Sequence, residues 1–135
     1  MNLMLNAADA MNAGGTLTLA TRLEAAGDDG PGVTPQQILS VEIRDTGHGI
    51  PTELLPRIFE PFYTTKTNGK GTGLGLPIAA RIVDAHRGTI SVKPADGTGT
   101  AFTVRLPALR PDQKVDDLPS RRIALPADPV SSRFE

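Results

Sequence analysis

The sequence predicts an α+β fold, a two-layer sandwich with a mainly antiparallel sheet and helices on one face. Three observations carry this. Four segments alternate apolar and polar residues, two others have helical composition or spacing, and glycine-marked turns separate them. Alternation with period two implies a sheet wet on one face and covered on the other, and the helices supply the cover. A chain of 135 residues holds one such domain around one core.

In chain order, Met1 to Ala13 reads as a helix of good helix formers, stopped at Gly14-Gly15. Leu3, Met4, Leu5, Ala7, Ala10 and Met11 leave it apolar nearly all round, which predicts burial. Leu17, Leu19, Thr21 and Leu23 alternate with Thr18, Ala20 and Arg22 as a half-buried strand. Glu24 to Pro35 reads as a mobile loop. Leu39, Val41 and Ile43 alternate with Ser40, Glu42 and Arg44 as a second strand. Leu74, Ile78, Ile82 and Ala85 recur at helical spacing, with Arg81 and Asp84 outside and Gly88 as the C-terminal cap. Ile90 and Val92, then Phe102, Val104 and Leu106, form two more strands around an Asp96-Gly97 turn. Arg110 to Glu135 has four prolines, mixed charge and no sustained period. It reads as a flexible tail after a folded domain of residues 1–109, because it buries too little apolar surface to offset its ordering entropy.

Composition narrows the function classes. Lys+Arg 14 against Asp+Glu 15 leaves a net charge of −1, so no basic field favours nucleic acid or anionic lipid. The absence of cysteine excludes disulfides, thiolate metal sites and thiol catalysis, and fits a reducing cytoplasm. No apolar run approaches the roughly 20 residues a membrane helix needs.

Three constellations carry chemistry. Asn2, Asn6 and Asp9, spaced by four and three, form a polar stripe on the first helix. A buried amide must find a partner, which is either a ligand or neighbouring backbone. Counting by two from Leu39 places Asp45 on the inward face with Val41 and Ile43, just before Gly47 and Gly49. An inward carboxylate beside backbone that a ligand can approach suits a donor-rich edge such as an adenine amino group; a turn-forming aspartate is the plainer alternative. Gly71-Thr72-Gly73-Leu74-Gly75-Leu76 opens the long helix, and unbonded N–H groups at such a start suit phosphates. The segment does not follow a strand, and its third glycine is misplaced for the dinucleotide fingerprint. No Walker-type loop is present, nor the His-Arg-Asp and Asp-Phe-Gly motifs of eukaryotic-type kinases. Between these sites, Ile58-Phe59-Glu60-Pro61-Phe62-Tyr63-Thr64-Thr65-Lys66 leads into Thr67-Asn68-Gly69-Lys70. There an aromatic pair anchors a small, polar stretch like a hinged lid, whose Lys66 and Lys70 either reach phosphate or are simply solvated.

In this order the segments resemble the catalytic ATP-binding domain of histidine kinases, in the superfamily shared with DNA gyrase, the MutL repair proteins and the heat-shock chaperone ATPases (the GHKL or Bergerat-fold superfamily). Asn2-Leu3-Met4-Leu5-Asn6-Ala7 looks like the N box, Asp45-Thr46-Gly47-His48-Gly49-Ile50 like the G1 box, Ile58-Phe59-Glu60-Pro61-Phe62 like the F box, and Gly71 to Leu76 like the G2 box. The continuation to Lys66 resembles the nitrogen-regulation type. The resemblance implies an ATP contact set of Asn2, Asn6, Asp45, Gly47, Gly49, Ile50, Phe59, Phe62, Thr65, Lys66, Gly71, Thr72, Gly73, Leu74, Gly75 and Leu76. Within it, Asp45 accepts from the adenine amino group while Gly47 and Gly49 shape that pocket. Asn6, with Asn2, holds Mg²⁺, and Lys66 and the Gly73 to Gly75 amides bind the phosphate tail. Phe59 and Phe62 seat the lid. Asn6 and Lys66 are the implied catalytic pair.

The same resemblance implies partners: a helical dimerisation domain bearing the phosphoacceptor histidine, and a response regulator. This chain's histidines, His48 and His86, lack the family's His-Glu-x-x-x-Pro setting, so the acceptor is expected elsewhere. The family's domain begins with a strand and the first half of the N-box helix. The expectation is therefore an incomplete domain with uncovered apolar core. Two alternatives are an anti-sigma-factor-type protein-serine kinase, which generally lacks the Phe59-Glu60-Pro61-Phe62 feature, and a non-catalytic remnant that binds nucleotide or a partner.

Overall fold

The computed structural model describes residues 1–26, 36–66, 71–95 and 98–108. The elements run helix α1 (Asn2–Ala10), strand β1 (Leu17–Ala26), strand β2 (Gln36–Asp45), a short 3-10 turn (Thr52–Leu54), helix α2 (Gly75–Ala85), strand β3 (Thr89–Pro94) and strand β4 (Thr100–Ala108). The four strands form one antiparallel sheet in the order β1-β2-β4-β3. The expected α+β architecture is thus present. The expected Asp96-Gly97 turn and the Arg110 to Glu135 tail lie outside the described residues.

Register shows where the core sits. Leu19, Ile43, Phe102 and Val92 form one row across the sheet, and Thr21, Val41, Val104 and Ile90 the next. These side chains share one face, because strand side chains alternate. Cover is uneven along the row. Phe102 is 4% exposed and packs in the core cluster with Leu3 of α1 and Ile58, whereas Leu19 on the edge strand is 56% exposed. Leu23 is also exposed, so the apolar face of β1 and part of β2 is open. One buried phenylalanine of this kind contributes about 2–3 kcal/mol, more than any half-covered leucine at the edge.

Three expectations change on contact with the structure. Glu24 to Ala26 belong to β1 rather than a loop, because they pair with Gln36 to Ile38; residues 27–35 lie outside the description. Helix α1 is not buried all round: Leu3 and Ala7, one turn apart, point into the core, while Met4 and Leu5 are exposed. The long helix buries a different stripe from the expected one. Ala80 is buried and Leu76 packs on the core cluster, but Ile78 and Ile82 are 45% and 54% exposed. Spacing alone could not tell which of two apolar stripes faces the sheet.

The end of α2 is closed by backbone bonds from Arg87 N–H to Asp84 O and from Gly88 N–H to Val83 O, the Schellman pattern. Its left-handed residue is Arg87 (φ 56), not Gly88. Glycine is needed at 88 for closeness: a Cβ there would lie 2.5 Å from Arg105 O on β4.

Candidate functional site

A cleft of about 920 Å³ opens between α1, the end of β2, the 50–66 segment and the start of α2. Its size falls within the range for small-molecule sites. Asn2, Asn6, Asp45, Gly49, Ile50, Thr65, Lys66, Gly71, Thr72, Gly73, Gly75 and Leu76 line it together.

Asp45 anchors one end. It is the last residue of β2 and 3% exposed, with its side chain on the covered face as the count by two predicts. Its Oδ1 accepts from Gly47 N–H at 2.9 Å and from Thr100 N–H at 3.2 Å. Two backbone donors satisfy a buried carboxylate and fix its orientation. Both fall on one oxygen, so the second is the one a ligand's donor would use. Thr100 carries no sequence signal, since it reaches Asp45 only by strand pairing across 55 positions. Gly99 beside it is required: its φ is 109°, and a Cβ would fall 2.0 Å from Asp45 O.

The other end is built from α1 and the segment before residue 67. Asn2 Nδ2 donates to Gly75 O at 3.1 Å, tying α1 to the start of α2 and leaving its amide oxygen for another partner. Lys66 Nζ reaches across the cleft to Asp9 Oδ2 at 2.5 Å and Asn6 Oδ1 at 3.4 Å. The N-terminus of α2 has no side-chain cap. Pro77 in its first turn lacks an N–H, so Gly75 and Leu76 supply the amides there. Lys70 lies outside the described residues.

Four expected contact residues do not line the cleft. Gly47 is buried and pressed on α1, where a Cβ would come within 2.6 Å of Ala10 O; it acts through its N–H on Asp45. Phe59 packs against the core cluster. Phe62 does not seat the lid with its ring, which is 75% exposed. Its backbone does the anchoring: Phe62 N–H donates to Gly73 O at 3.0 Å, and a Cβ on Gly73 would lie 2.3 Å from Phe62 C. Leu74 is the N-cap residue of α2, its N–H bonded to Thr72 Oγ1 at 3.3 Å. Conversely, Asp9, His48, Tyr63, Thr64 and Thr100 line the cleft without having been assigned there.

The cleft thus combines a buried, oriented carboxylate at one end with a glycine-rich helix start and a lysine at the other, a set whose chemistry suits a nucleotide. The chain belongs to the family of histidine kinase-, DNA gyrase B-, and HSP90-like ATPases, whose pattern it matches over residues 1–110. It is 42% identical over 123 residues to the sensor kinase CckA of Brucella abortus (strain 2308), covering 88% of this chain and 13% of that protein. A mycobacterial sensor histidine kinase, MprB, superposes with a TM-score of 0.60 at 33% identity, over 78% of this chain and 65% of that one. The full-length ShkA structure in complex with AMPPNP superposes at 0.55 and 29% identity, over 78% of this chain and 20% of that one. The chain is thus of the ATP-binding catalytic domain type of sensor histidine kinases, and spans about an eighth of CckA. Among the described residues, no helix is long and apolar enough to cross a membrane.

Proposed function

We propose that this chain presents Mg-ATP for γ-phosphoryl transfer to a histidine on a separate dimerisation domain, from which the phosphoryl group passes to a response regulator, in the cytoplasm. The observation that carries the reading is Asp45, a buried carboxylate with one oxygen held by two backbone amides at the base end of the cleft. A carboxylate so placed accepts from an exocyclic amine and rejects a carbonyl at the same position.

At the other end, Asn6 and Asn2 offer neutral amide oxygens and Lys66 offers an ammonium. This donor set fits magnesium, which takes most of its ligands from phosphate and water, and among the described residues no carboxylate–histidine cluster forms a cage for another metal. ATP supplies the phosphoryl group and the metal ion neutralises its charge; the chain's own residues bind, orient and exclude water. His48 and His86 lack the His-Glu-x-x-x-Pro setting, which supports an acceptor elsewhere.

Calorimetry of Mg-ATP on the 135-residue chain tests this. Asp45→Asn and Asn6→Ala each weaken binding at least tenfold, roughly the worth of a hydrogen bond to a charged group. Retained affinity in both variants would reject the assignment.

A further inference from the structure

Asp9 completes the polar stripe of α1, yet neither the base contact nor the metal ligand set uses it. In the structure its carboxylate holds Lys66 Nζ, and the same ammonium reaches Asn6 Oδ1. The lysine therefore sits on the oxygen assigned to the divalent cation. Two cations on one amide oxygen repel each other, so the lysine and the divalent cation compete for it. Lys66 also directs two of its three donors at the protein, and its charge is balanced by the carboxylate before any polyphosphate arrives.

We propose that Asp9 is a positioning residue that keeps Lys66 as an internal stand-in for the cation of the loaded site. Nucleotide loading then exchanges the Lys66–Asp9 and Lys66–Asn6 contacts for contacts to phosphate and metal. The ion pair joins residue 66 to α1 across the cleft, so it also tethers the 64–66 segment in the nucleotide-free state. Both partners are partly exposed, 36% for Lys66 and 59% for Asp9, so the tether is weak enough to be exchanged.

This inference rests on the nucleotide reading above, and its test separates the two. Affinities for Mg-ATP and for adenosine are measured on the full chain, with hydrogen exchange at residues 64–66 of the nucleotide-free protein. Asp9→Asn tightens Mg-ATP about two- to fivefold, leaves adenosine unchanged and speeds exchange of the Lys66 amide. Asp9→Glu, which keeps the carboxylate, restores wild-type values. Weaker or unchanged Mg-ATP binding in Asp9→Asn overturns the proposal, and so does tighter binding with unaltered exchange, which would mean simple charge repulsion. If wild type and variants bind neither ATP nor adenosine, the nucleotide reading fails, and exchange at Lys66 alone then decides whether the tether exists.

Discussion

The two ends of the cleft are built by different means. At the Asp45 end, the polar group is a buried side chain that accepts from the backbone amides of Thr100 on β4 and of Gly47 just past β2. At the Lys66 end, the contacts join side chains on α1 and the 64–66 segment. Backbone donors in a sheet cost little further entropy to hold, whereas each long side chain gives up rotamer freedom to stay in place. The Asp45 end is therefore held rigidly and the Lys66 end loosely, and under the proposed function the first would be preformed for the base while the second rearranges around phosphate.

The largest expected effect removes what supports the preformed end. Phe102→Ala empties the core between Leu3 and Ile58 and costs about 3–5 kcal/mol of stability, read from urea unfolding of the chain. Nucleotide binding is expected to fall with the fold, and Phe102 also lines the cleft itself. Next comes Asp45→Asn, which separates the ends cleanly. It weakens adenosine as well as Mg-ATP by about 1.5–3 kcal/mol, while the fold holds, because an amide oxygen still accepts from Gly47 and Thr100. Lys66→Met acts on the other end alone. It weakens Mg-ATP by about 1 kcal/mol, leaves adenosine unchanged and flattens the salt dependence of binding. Equal effects on both ligands would erase the division between the ends. Smallest is Ile82→Ser on the exposed stripe of α2, expected within about 0.5 kcal/mol of wild-type stability, against about 1–2 kcal/mol for Leu76→Ala on the partly buried, packed stripe. The reverse ranking would restore the face that spacing favoured.

Much of this was legible in the residues. Alternation marked the strands because a sheet with one dry face demands it, and the count by two placed Asp45 inward before any contact was known. What was lost came from interactions without local signature. The strand character of Glu24 to Ala26 is supplied by partners on β2, not by its own composition. Phe62 looked like an anchor by type, yet its ring is exposed and its backbone holds Gly73. Asp9 stood in the right stripe, but nothing local could pair it with Lys66, 57 positions away.

The sequence by itself determined the element types, the order of the glycine-marked motifs and the face on which Asp45 lies, since these follow from backbone periodicity and from which residues tolerate tight turns. Only the tertiary structure decided which stripe of α2 is buried, why Gly88 and Gly99 must be glycine, and which cation rests on Asn6. Those are matters of approach between distant segments, and distance between segments is a property of packing that local chemistry does not encode.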